Sequence, residues 1–186
     1  DGEAALHAPE DHAVDARVGR IGLLELAPRL LALGLLAAQH RLAVLVLHAL
    51  DVDVDEVADL DPSEKLEWLV EFADELPQIS AARAVHPFPE TCRVQECQTP
   101  VFLWVDVIDG RVHLEADVPP KSPTVRGLVA LVVVGVTGAT PAEVMQLPDD
   151  LLSVLGLNGA LGMNRQQGVR GLMARLKQAV QAGTAD

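Results

Sequence analysis

Tyrosine is absent from this chain, which has three phenylalanines and two tryptophans among 186 residues. A core with so few rings has to be assembled from leucine, valine and alanine, so stripes of these residues are the pattern to follow. Cysteine is equally sparse: two residues exclude a disulfide scaffold and fit a reducing, cytoplasmic compartment. Basic residues are outnumbered, 14 against 27 acidic, for a formal charge of -13. Phosphate backbones are bound by clustered Lys and Arg, so nucleic acid is excluded as a partner, and a basic protein partner or simple solubility is favoured. Long apolar runs are missing too. The uncharged stretch between Arg29 and His40 is ten residues, half of the roughly 20 that span a bilayer. The acidic residues ahead of it are unlike the basic start of a secretory signal. No membrane association is expected.

What is present suffices for one domain with a buried core. Residues 1–55 form a leader with three readings: an added hairpin of apolar helices, a partner-binding amphipathic segment, or an upstream start that is not the native one. Composition changes abruptly at Asp51-Val52-Asp53-Val54-Asp55, and residues 56–186 read as the functional domain. Asp61-Pro62-Ser63-Glu64 is a helix start, with Asp61 as cap and Pro62 at the first position. Leu66, Leu69, Val70, Ala73 and Leu76 give that helix one apolar stripe. Residues 81–89 form a loop. Thr99 to Val107 and Arg111 to Ala116 read as strands, and Asp109-Gly110 between them is a strong hairpin signal. Ser122 and Pro123 open an apolar run to about Val133 whose length favours a buried helix over a strand. Thr140 and Glu143 make a capping box, Asp149 opens a short helix, 159–168 is a glycine-containing link, and Val169 to Ala182 is an amphipathic helix.

Chemistry concentrates at Thr91-Cys92-Arg93-Val94-Gln95-Glu96-Cys97, just before the first strand. Cys97 stands where a loop delivers a side chain to a rigid, largely buried strand, which places a thiol and exposes it. By itself, a cysteine at such an edge reads as a small buried hydrophobe. The flanking residues change that reading. Glu96-Cys97-Gln98-Thr99-Pro100-Val101-Phe102, then Asp109-Gly110, Val112 to Asp117, Thr124 to Leu131, Thr140 to Val144 and Asn164-Arg165-Gln166-Gln167-Gly168 follow one another in an order that resembles the SufE/CsdE family of sulfur acceptors. The likeness runs from about Leu60 to Val180, and Leu76-Pro77 matches the family's helix end.

The resemblance implies an α+β fold, a small antiparallel sheet covered by helices on one face, related to that of the IscU scaffold. It implies a persulfide-accepting role for Cys97 and a loop or partner contact for Arg165. The chain would not be an enzyme in its own right. It would activate a pyridoxal-phosphate cysteine desulfurase, with an iron–sulfur scaffold as onward acceptor, and would bind no cofactor itself. An apolar pocket walled by Val94, Val101 and Phe102 is expected around the thiol. Two positions depart from the family. Glu96 replaces a common glycine and should raise the Cys97 pKa. In Asp117-Val118-Pro119-Pro120-Lys121-Ser122 the family's second acid is missing. Two alternatives stay open: zinc held by His86, Cys92, Cys97 and His113, or an interaction module that carries no sulfur.

Overall fold

The computed structural model describes residues 59–184, so the readings made for residues 1–55 lie outside it. Asp61 accepts hydrogen bonds from the Ser63 and Glu64 amides, and the Glu64 carboxylate accepts from the Asp61 amide. This reciprocal cap starts α1 (Pro62–Glu71), which tightens into a 3₁₀ turn at Phe72–Glu75 before Pro77. Leu69, Ala73 and Leu76 are buried as expected, and Trp68 stacks on Phe72 at 5.7 Å. Val70, expected on the buried stripe, is exposed. The buried line runs through Lys65, Leu69 and Ala73 at four-residue spacing, and Val70, one position past Leu69, falls outside it.

The hairpin follows the sequence closely. Strands β1 (Phe102–Ile108) and β2 (Arg111–Asp117) pair antiparallel, with Leu103 opposite Ala116, Val105 opposite Leu114 and Val107 opposite Val112 on the inner face. Asp109 and Gly110 both have positive φ, 52° and 72°, the backbone a two-residue turn needs to match strand twist. On the outer face, residues 80–89 lie across Phe102, Trp104 and Asp106. Phe88 meets both rings edge-on at 5.0 and 5.3 Å. Arg83 lies over Trp104 and reaches Asp106 and Glu115. Helices therefore cover one face, and an aromatic loop covers much of the other.

Helix α2 (Pro123–Val136) is the centre of the core, with Gly127 through Val133 and Val136 buried. Its valine triplet suits a strand by propensity, but burial on nearly all sides outweighs that preference. α2 crosses α1 at Gly127, where a Cβ would lie 1.8 Å from the Leu69 carbonyl oxygen. Only glycine allows that crossing. After α2, Gly138 (φ 91°) lets the chain turn, and Gly138 and Ala139 exchange backbone hydrogen bonds with Val112, covering the free edge of β2.

Thr140 and Glu143 form the expected capping box on α3 (Pro141–Met145). Asp150, not Asp149, caps α4 (Leu151–Val154). α5 begins at Met163 and runs to Gly183, six residues earlier than the sequence suggests. The Gln166 side chain donates to the Asn158 and Leu161 carbonyls and ties the preceding turn to the helix, so the supposed link from 163 onward is its first turns. Among the described residues, no helix is long and apolar enough to cross a membrane.

Candidate functional site around Cys97

The loop bearing Cys97 is closed at its base. The Val94 amide donates to the Val101 carbonyl at 2.9 Å, Arg93 bridges to Phe102, and both valines are fully buried. Residues 95–100 thus project from a fixed neck, and the Cys97 amide folds back to the Val94 carbonyl at 3.2 Å. This neck extends the sheet beside the start of β1, which opens at Phe102 rather than Thr99.

The loop lies on α5. A Cβ at Gly168 would meet the Cys97 Sγ at 2.9 Å, and one at Gly171 would meet the Glu96 Cβ at 2.6 Å and its carboxylate Oε2 at 2.5 Å. Two glycines three residues apart share a helix face, and their bare backbone makes the groove that receives Glu96 and Cys97. One turn on, the Arg175 guanidinium donates to the Thr91 carbonyl and fixes the segment leading into the neck. In the sequence Gly168 stands out only as the end of a link and of a family motif, and Gly171 does not stand out at all. The readable signal was a Gly-x-x-Gly spacing inside an otherwise amphipathic pattern.

Beside the thiol is a cavity of about 290 Å³. Leu128 and Val129 of α2, with Val169 and Leu172 of α5, supply its apolar lining, and Lys121, Ser122, Asn164 and Arg165 its polar lining. Val94, Val101 and Phe102 do not line it: the first two are consumed by the neck, and Phe102 belongs to the outer aromatic face. Ser122 occupies the N-cap position of α2, but its hydroxyl makes no capping hydrogen bond and borders the cavity instead. Arg165, in the first turn of α5, lines the same cavity as Cys97 although 68 positions separate them in the chain. Lys121, from the segment where the family's second acid is missing, lines it as well.

Burial against this apolar lining pushes the Cys97 thiol up from its ordinary 9.0 to about 11, and the neighbouring Glu96 carboxylate adds to the rise. The Glu96 effect was expected from the sequence; the larger one, burial, required knowing what packs on the loop. At neutral pH the site therefore holds a protonated thiol.

The zinc arrangement is not formed. His86 packs on Phe88 at 4.0 Å and His113 pairs with Asp106, both on the outer side of the sheet, whereas Cys97 faces α2 and α5. Among the described residues no group of three or more His, Cys, Asp or Glu side chains is placed to hold a metal ion. The alternation of side chains along β2 puts His113 on the outer face, and His86 belongs to the loop that covers that face. Cys92, half-buried in the 3₁₀ turn Glu90–Cys92, is a free thiol, as is Cys97.

Hairpin, buried central helix and a looped thiol beside a cavity define an α+β domain. Comparison with known proteins specifies it further. The family model described as "SufE: Fe-S metabolism associated domain" matches residues 53–180, and the chain belongs to the SufE family. An uncharacterised SufE-like protein of Mycobacterium tuberculosis is 34% identical over 129 residues, covering 67% of this chain and 86% of that protein. One from Synechocystis is 30% identical over 109 residues, 58% of this chain and 64% of the relative. The solution structure of a hypothetical protein from Thermus thermophilus superposes with a TM-score of 0.60 at 28% identity, covering 72% of this chain and 93% of that one.

Proposed function

We propose that this chain accepts sulfane sulfur on Cys97 from a pyridoxal-phosphate cysteine desulfurase and passes it on for iron–sulfur cluster assembly. The observation that supports this best is the placement of Cys97, on a loop closed at its neck and laid in a glycine groove beside a cavity. A thiol kept only for packing needs neither the loop nor the open volume.

The transfer is redox-neutral. Cys97 loses its proton and its thiolate attacks the outer sulfur of the donor's cysteine persulfide. A new S–S bond forms at Cys97 Sγ, the donor's S–S bond breaks, and the donor's inner sulfur leaves with the electron pair as a thiolate. With its pKa near 11 the resting thiol is a weak nucleophile. Docking must therefore draw the loop off α5 or bring positive charge to it, which confines the reaction to the cognate complex. Onward transfer repeats the same displacement with the acceptor's thiolate as nucleophile. The pyridoxal phosphate belongs to the desulfurase, and this chain acts as co-substrate and activator.

The test is desulfurase turnover on L-cysteine with and without this protein. Wild type should stimulate sulfide or alanine release under reductant, Cys92→Ser should do so equally, and Cys97→Ser should not. Stimulation by Cys97→Ser equal to wild type would show an interaction module that carries no sulfur.

A further inference from the structure

The cavity beside Cys97 carries two cations, Lys121 and Arg165, in a chain whose net charge is -13. Neither side chain makes a hydrogen bond or ion pair with another described residue, while Arg83, Arg93, Arg170 and Lys177 each pair with a carboxylate. The cations arrive from different elements, Lys121 from the segment leading into α2 and Arg165 from the first turn of α5. Of the titratable groups near the thiol, Glu96 is turned onto Gly171, and Lys121 and Arg165 line the open volume.

Loading changes the charge of this site. The resting thiol is neutral, whereas a persulfide is a stronger acid and is anionic near neutral pH. It also reaches one S–S bond further from the backbone, beyond the groove and toward the cavity. An anion there needs compensation that the thiol does not.

We infer that Lys121, together with Arg165, holds the terminal sulfur of the loaded Cys97 persulfide as an anion in this cavity, making Lys121 a positioning residue for the sulfur-bearing state. The inference rests on the sulfur-carrier reading and adds to it a role for a residue of the segment in which the family's second acid is missing. Holding the persulfide as an anion also protects it. The outer sulfur of an anionic persulfide is a poor target for nucleophilic reductants, and an apolar wall limits their approach.

The experiment loads the full-length Cys92→Ser protein, which has one thiol, with inorganic polysulfide, so that no desulfurase is needed. The polysulfide gives its terminal sulfur to the Cys97 thiolate and leaves as a chain one sulfur shorter. Persulfide lifetime against a phosphine is followed by intact mass, and the pH midpoint of persulfide alkylation is measured alongside. Lys121→Met should shorten the lifetime severalfold and raise the midpoint by about one unit, the scale on which a nearby opposite charge acts. Lys121→Arg should restore both, and alkylation of the unloaded thiol should change less. Equal lifetimes and midpoints in all three proteins would overturn the inference, as would an equal change in the unloaded thiol or a failure of polysulfide to load Cys97. Desulfurase loading, measured separately, shows whether the carrier reading itself has failed. Lys121 is exposed, so its variants should fold; a thermal melt checks this.

Discussion

Replacing Gly168 by alanine should release the Cys97 thiol. The added Cβ would sit 2.9 Å from Sγ, while the Cys97 Cα and Cβ at 3.7 and 3.8 Å are in ordinary contact. Carbon and sulfur at van der Waals separation need about 3.5–4.0 Å, so Sγ must retreat by roughly 0.6 Å or more, by rotating about χ1 or with the loop. Overpacking of this kind costs about 1–3 kcal/mol. Alanine in place of a mid-helix glycine returns about 1 kcal/mol of helix propensity, so the net cost to the fold is about 2 kcal/mol or less. The thiol loses its shelter. As burial is the leading cause of its rise from 9.0 to about 11, full release would restore as much as two units, or about 100-fold more thiolate at pH 8. Iodoacetamide alkylation of Cys97 in a Cys92→Ser background, followed by mass spectrometry at pH 8, should accelerate about tenfold or more. An unchanged alkylation rate in a folded Gly168→Ala protein would refute the groove as the source of the thiol's protection.

Other predictions follow from the same geometry. Glu96→Gln should also speed Cys97 alkylation, but less than Gly168→Ala, because the carboxylate is the smaller of the two causes. The folded-state thiol pKa is raised, so its contribution to stability is complete below pH 9 and is lost as pH climbs toward about 11. Denaturant titrations of wild type and Cys97→Ser across that range should diverge accordingly. Gly127→Ala should cost more than 3 kcal/mol or prevent folding, since its Cβ meets the Leu69 carbonyl oxygen at 1.8 Å and backbone cannot yield cheaply; a melt indistinguishable from wild type would contradict the α1–α2 crossing. Thr140→Ala should cost about 1 kcal/mol by removing the α3 cap. Hydrogen bonds from Thr140 hold the Glu143 carboxyl below its ordinary 4.5, so the cap's contribution is present above that pH and fades as pH falls further. Urea midpoints at pH 7 and pH 3 for both proteins measure this, and equal differences at the two pH values would count against it.

Most of what is local was legible in the sequence. Asp109-Gly110 specifies the hairpin because its backbone angles are nearly obligatory for a two-residue turn, and Asp61 and Thr140 announce helix starts because their partners lie three residues away. Failures occurred where the deciding partner is distant in sequence. Gly168 reads as the end of a link and Gly171 as one more position of the closing helix, and only the loop seventy-odd residues earlier explains why the helix carries both. The cavity wall was assigned to the chain neighbours of Cys97, yet Val94 and Val101 are spent on closing the neck while α2 and α5 supply the lining. Val70 left the apolar stripe because the buried line is narrower than the sequence pattern, passing through Lys65, Leu69 and Ala73. Arg165 could be singled out only through the family resemblance. Its place on the Cys97 cavity is tertiary, and nothing local in Asn164-Arg165-Gln166 reports it.

Sulfur acceptance at Cys97 is tested most directly by intact mass after incubation with a cysteine desulfurase and L-cysteine, on wild type, Cys97→Ser and Cys92→Ser. The account predicts a gain of one sulfur atom in wild type and Cys92→Ser and none in Cys97→Ser. Sulfur retained by Cys97→Ser, or absent from all three while the desulfurase turns over, would contradict it.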